Sequence, residues 1–294
     1  MSEALEISFP PISPIDDACG AQARELLHLS LPGASVGRLA NLAGWLAACQ
    51  HQVPPAPPTD TRLVVFASQE DALDDAPGTV FAEQVGCRNV TTVVPDDDPV
   101  ASGRDAADRA VDEGAQLLIP AATGPGVMLD SVAAIGAITR TEPVKLVRHV
   151  PQSPTRRWQN AVATLRDAMF QARTHTSEPR QLLATIGSAE LAATVGFLAQ
   201  AAVRRTPCVL DDVTAIAAAV IANTWAPGAA QWWIASDIGV QPAAKIGLDQ
   251  LGLTPLFDYG FNRVPGAGGA LTIPLIRTAA SLVADPKNNQ ENSY

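Results

Sequence analysis

The chain has 294 residues, 47% hydrophobic and 17% charged, with a formal net charge of -10 at pH 7. That length can bury a large core, and the acidic balance excludes a nucleic-acid surface, which needs clustered Lys and Arg. The four cysteines, Cys19, Cys49, Cys87 and Cys208, form no CxxC pair, so reduced, mostly buried thiols and a cytoplasmic location are expected.

Residues 1–18 read as an extended, Pro-punctuated arm without the charged-then-apolar pattern of a leader. A helix is expected over 18–30. A second, over 35–52, puts Val36, Leu39, Leu42, Trp45, Leu46 and Cys49 on one face at i, i+3, i+4 spacing. "VPPAPPTD" (53–60) is a rigid, extended linker. It closes a helical N-terminal subdomain, 1–55, which a C-terminal helix over 269–285 is expected to join. From 61 to 268 the pattern changes. Short apolar runs at 62–68, 89–95, 115–121, 143–149, 207–211 and 231–236 predict about six strands. Ala-rich stretches at 100–113, 128–140, 155–173, 212–224 and a pair within 178–204 predict helices between them. Strands alternating with amphipathic helices give an α/β fold, a Rossmann-like parallel sheet flanked by helices. No window of about 18 apolar residues escapes interruption by charge, Gly or Pro, so no membrane span is expected. The polar tail 286–294 is expected to be disordered.

Parallel sheets bind ligands at the carboxyl ends of their strands, so the loops after each run carry the candidate chemistry. "ATGPGVMLD" (122–130) offers Gly124 and Gly126 for backbone approach to a ligand, but it has neither GxGxxG nor the Lys-Ser/Thr of a P-loop. In "IGSAELAA" (186–193), Gly187 and Ser188 precede Glu190. That acid is either a general base or a first-turn carboxylate favoured by the helix dipole. Asp211 and Asp212 stand at a strand end and read as an N-cap. Ser236 and Asp237 follow another strand, without the G-x-S-x-G of a serine hydrolase. "RHVPQSPTRRW" (148–158) is the one cation-rich loop, and Arg148, Arg156 and Arg157 could hold a phosphate or simply face solvent. "NRVPGAGGA" (262–270) is a Gly-rich turn into a helix, with Gly266 and Gly268 at its centre and no acid, His, Lys or hydroxyl. The four histidines never fall at i, i+4, and neither a metal site nor a cofactor is expected.

Five of these segments, in order, resemble one family, the nicotinate-nucleotide–dimethylbenzimidazole phosphoribosyltransferases (CobT) of cobalamin lower-ligand assembly. "LPGASVGRLANLAGWLAACQ" (31–50) is similar to the family's opening K-P-x-G-x-L-G-x-L-E-x-L-A. "GAQLLIP" (114–120) is similar to its GADLL-I strand, and "IGSAELAATVG" (186–196) to its GG-x-[ED]-[IL]-A-A-x-x-G. "AAVRRTPCVLDDVTAIAAAVIA" (201–222) resembles the A-x-x-x-x-P-V-L-L-D-G segment. "LGLTPLFDYGFNRVPGAGGALTIPLI" (251–276) resembles the ending that carries R-L-G-E-G-T-G. The resemblance implies a dimeric scaffold and a reaction joining a benzimidazole nitrogen to the ribose of nicotinate mononucleotide, with nicotinate leaving.

The departures fall on that chemistry. A gapless match puts Pro265 at the family's catalytic Glu and Asn262 at the motif's Arg. In the loop that resembles the family's G-[ED]-M-G-I-G-N-T-T, Ala122 stands for the acid, and Val127, Met128 and Leu129 stand for Asn-Thr-Thr. In "GVQPAA" (239–244), Gln241 replaces a Glu and Ala244 a His. Dozens of residues that help enclose the base in the family are missing between 66 and 94. The expectation is a divergent, shortened member with no catalytic residue in place. It would bind a nucleotide or azole, if any ligand, through Gly124, Gly126, Gly187, Ser188, Glu190, Ser236, Asp237, Gly266 and Gly268. It would pair with itself or with an active paralogue, and its Ala-rich helices 189–203 and 212–224 would offer the flat faces for that contact. An active enzyme with Asp237, Glu190 or Asp211 as displaced base is the alternative.

Overall fold

The computed structural model describes residues 8–30, 35–69, 77–87, 89–149, 154–186, 188–262 and 264–284. Five parallel strands form one sheet: β1 (Thr61–Ala67), β2 (Asn89–Val93), β3 (Leu117–Thr123), β4 (Cys208–Leu210) and β5 (Trp233–Ala235), in the order β2-β1-β3-β4-β5. Leu63 pairs with Val90 on one side and Ile119 on the other. Every residue of β1 is buried, as expected of a strand covered on both faces. Alternate side chains go to opposite cores: Val64 and Phe66 to one, Leu63 and Val65 to the other.

Around the sheet lie α1 (Asp17–Ser30), α2 (Leu39–Gln50), α3 (Pro77–Gln84), α4 (Pro99–Asp112), α5 (Val127–Thr139) and α6 (Thr155–Ala172). They are followed by α7 (Pro179–Ile186), α8 (Ala189–Val203), α9 (Val213–Trp225), α10 (Pro242–Leu251) and α11 (Ala267–Ala284). The Leu63 face is covered by α1, α2, α3 and α11, so the first and last helices share one core with the sheet. The Phe66 face is covered by α4, α5, α8 and α9, with Phe66 edge-on to Phe197 at 5.6 Å. The N-terminal arm lies on this half: Phe9 meets the Trp225 ring edge-on, and the Trp232 indole donates to the Ser13 carbonyl. By length and composition α11 could cross a bilayer, but 56% of it is buried in the fold. Its Arg277 donates to the Pro58 and Val85 carbonyls, which fixes it at the bottom of the sheet.

Two expectations are overturned. "PVKLVRH" (143–149) is not a sixth strand. Pro143–Lys145 is a 3-10 turn, and Leu146 and Val147 are buried side chains of the loop behind it. Leu146 presses so close to Gly136 of α5 that a Cβ there would collide with it, and its carbonyl accepts the Ala243 N–H. The segment links α5 to α6, two helices packed on each other, and so never returns to the sheet. Nor do the Ala-rich helices present small-residue faces outward. Almost every residue of α8 is buried. A Cβ on Gly196 would strike the Val100 carbonyl of α4, and one on Gly103 the Ala193 carbonyl of α8. The small residues are spent on close helix contact inside the chain. The tail 286–294 and residues 1–7 lie outside the described residues.

Candidate functional site

The carboxyl ends of β3, β4 and β5 open into a cleft of about 330 Å³. Its floor is the turn from β3 into α5: Ala122, Gly124, Gly126, Val127, Met128 and Leu129. One wall is the start of α9, with Asp212 and Thr214. Another is the loop after β5, with Ile238, Val240 and Gln241. The lid is the segment before α11, with Phe261, Asn262 and Pro265. Segments more than a hundred residues apart in sequence thus meet where a parallel sheet places ligands.

The glycines of these loops are fixed by their surroundings. Gly126, the N-cap of α5, has φ 86°, a left-handed conformation that side chains avoid. A Cβ at Gly124 would collide with the Glu190 carboxylate and the Ser68 hydroxyl. Gly266 has φ 84° and sits on Leu63, while Gly268 sits against Asp211 and Ser236. The turn therefore needs these residues whether or not a ligand is bound.

The carboxylates are committed in the same way. Asp211 is buried, and it holds the Gly-rich turn to the sheet. The Gly266 N–H donates to its Oδ2 at 2.7 Å, the Gly269 N–H to its Oδ1 at 2.6 Å, and the Ser236 hydroxyl lies 3.3 Å from Oδ1. Burial first, then the charge of Asp212, pushes its pKa up to about 7, against the pull of those N–H groups. Asp237 is fully buried and accepts the Gly239, Tyr259 and Phe261 N–H groups at 3.0, 2.7 and 2.8 Å, fixing the course of the chain toward the lid. Ser236 donates back to the Leu210 carbonyl. Ser236, Asp237, Gly266 and Gly268 therefore stand behind the cleft and shape it, rather than lining it. Glu190 is buried beneath the Gly124 turn, where its Oε1 accepts the Ser68 hydroxyl at 2.7 Å. Ser188 caps α8. Gly187 lies outside the described residues. Near Glu190, Asp130 in the first turn of α5 has its pKa raised to about 6 by burial and by the Glu190 charge.

Among the described residues, Asp212 is the one carboxylate that lines the cleft. Its Oδ1 caps α9, accepting the Thr214 and Ala215 N–H groups at 2.9 and 3.0 Å. Burial raises its pKa, and those two N–H groups oppose the shift. Sequence reading gave Asp212 the cap alone, because nothing in the pattern shows that this residue borders an open cleft. It also missed Ile238, Val240 and Phe261, whose apolar character alone does not distinguish wall from core. The arginine loop is not at a strand end. Arg148, Arg156 and Arg157 are exposed and none lines the cleft.

Comparison with known proteins agrees with this fold. The family model described as Phosphoribosyltransferase matches residues 12–90 and 97–292. The nicotinate-nucleotide–dimethylbenzimidazole phosphoribosyltransferase of Corynebacterium efficiens is 35% identical, over 95% of this chain and 88% of its own length. That of Mycobacterium ulcerans is 32% identical over 332 residues, 95% of this chain and 93% of the relative. This alignment is longer than the chain itself, so the relative carries residues that are missing here. A crystal structure of the phosphoribosyltransferase from Thermus thermophilus superposes with a TM-score of 0.74 at 26% identity, covering 92% of this chain and 96% of that one.

Proposed function

Since the chain belongs to the nicotinate-nucleotide–dimethylbenzimidazole phosphoribosyltransferase family, we propose that it is a member of cobalamin lower-ligand assembly that keeps the fold and the cleft but not the transferase chemistry. The transfer needs an acceptor for the azole proton and donors for the nucleotide phosphate. The observation that carries the reading is the occupation of the displaced-base candidates. Both oxygens of Asp211 and of Asp237 accept backbone N–H groups, and Glu190 is bonded under the Gly124 turn. Pro265, which a gapless match sets at the family's Glu, borders the cleft. Losing a positioned base costs about 10²–10⁴ in rate. Val127, Met128 and Leu129 offer no side-chain donors where the resembling motif has Asn-Thr-Thr, which weakens the hold on the phosphate as well.

Such a protein acts in the cytoplasm as a dimer with itself or as a subunit beside an active paralogue. The exposed Tyr259 offers surface for that contact, in an aromatic ladder with Phe257 and Phe261, the last of which also meets Phe81. The test is a transferase assay with nicotinate mononucleotide and dimethylbenzimidazole, beside calorimetry with the nucleotide and light scattering at micromolar concentration. No α-ribazole phosphate, no nucleotide binding and a dimer are expected. Turnover near that of an ordinary family member would overturn the reading. It would favour a second one, in which Asp212 is the base, since one of its oxygens is left uncapped beside the cleft.

A further inference from the structure

Asp212 stands where the resembling P-V-L-L-D-G motif has its Gly, so the chain adds a carboxylate to the cleft at the end of β4 while it lacks one at Pro265. The two changes are not equivalent. Oδ1 of Asp212 is pinned at the head of α9 by two backbone N–H groups, and Oδ2 accepts no hydrogen bond from the described residues. Val127, Met128, Ile238, Val240, Phe261 and Pro265 supply apolar surface, Thr123, Thr214, Gln241 and Asn262 neutral polar groups, and no Lys, Arg or His lines the cleft among the described residues. The carboxylate thus has two backbone N–H groups but no cationic side chain beside it in the cleft, and burial raises its pKa against the pull of those N–H groups. At the other side of the floor, Asp130 sits in the first turn of α5 close to Gly126, with Glu190 behind it. The helix end that would otherwise receive a phosphate already has a carboxylate beside it.

We propose that the cleft binds a flat, positively charged nitrogen heterocycle without a phosphate, with Asp212 as its counter-ion. A cation supplies the charge partner that Asp212 lacks in the cleft, and ring faces suit the apolar surface and Phe261. The cleft volume of about 330 Å³ fits a ligand of one or two rings. A phosphorylated ligand would bring its dianion toward Asp130 and Glu190, and like charges in a partly dry site repel. The inference rests on the non-catalytic reading above and names the ligand class of that same cleft.

The test is calorimetry on the full chain with three probes: 1-methylnicotinamide, a phosphate-free pyridinium; nicotinamide, its neutral counterpart; and nicotinate mononucleotide. The cation is expected to bind about tenfold tighter than nicotinamide, and the mononucleotide not to bind. In Asp212→Asn the amide still caps α9, so the protein should fold with an unchanged melting temperature. It should lose the tenfold preference while keeping its affinity for nicotinamide. A preference for the mononucleotide, or an unchanged preference for the cation in Asp212→Asn, overturns the proposal. A transferase assay on the same preparation separates the two claims: turnover refutes the non-catalytic reading, whereas the charge preference alone decides the counter-ion.

Discussion

Replacing Asp211 by Asn removes a charge from the point where the Gly-rich turn is tied to the sheet. The carboxylate is 5% exposed, and its folded pKa is pushed from an ordinary 3.8 to about 7 by burial and by Asp212. For an acid with a raised folded pKa, the folded state holds a proton that the unfolded chain has released. The stability this gives is fully present below about pH 4 and is lost as pH rises to about 7. At about 1.4 kcal/mol per pKa unit, the loss between pH 5 and pH 8 is about 3 kcal/mol. The proton has an acceptor in Ser236 Oγ at 3.3 Å, so the neutral acid can still receive the Gly266 and Gly269 N–H groups. Asn cannot ionise, and one of those N–H groups then faces its amide nitrogen, at a pH-independent cost of about 1–3 kcal/mol. Urea unfolding of both proteins at pH 5, 6, 7 and 8 isolates the charge, because other titrations largely cancel in the difference. The wild-type advantage over Asp211→Asn should shrink by about 3 kcal/mol across that range. A difference constant within about 0.5 kcal/mol would refute the reasoning. It would mean that the two N–H groups at the head of α11 hold the carboxylate ionised throughout.

Gly196→Ala should lower stability by about 3 kcal/mol, since its Cβ meets the Val100 carbonyl and two backbones would have to separate; a melting temperature within a degree of wild type would contradict that contact. Pro265→Glu should fold, because the position is only half buried and borders the cleft. It should not yield α-ribazole phosphate, because the floor at Val127–Leu129 still offers no side-chain donor. Substantial turnover in that variant would show that the phosphate is held by other groups, and loss of folding would show that the proline is required by the turn.

The alternation of β-branched runs with Ala-rich stretches was enough to determine a parallel sheet covered on both faces. The reason is local: a strand buried on two sides must be apolar at every position, as β1 is, and its helices must be amphipathic. The Gly-rich turns and the family resemblance were equally legible, because each is a property of consecutive residues. The run at 143–149 was not. A short apolar segment reads the same whether it pairs in a sheet or plugs the gap between two helices, and only the packing of α5 on α6 decided for the plug. The roles of the acids were also beyond the sequence. Asp211 and Asp212 are neighbours of one type, yet one is consumed by N–H groups arriving from 55 and 58 residues away and the other opens onto the cleft. A carboxylate's chemistry is set by the donors, charges and water around it, and those are assembled only when distant segments fold together.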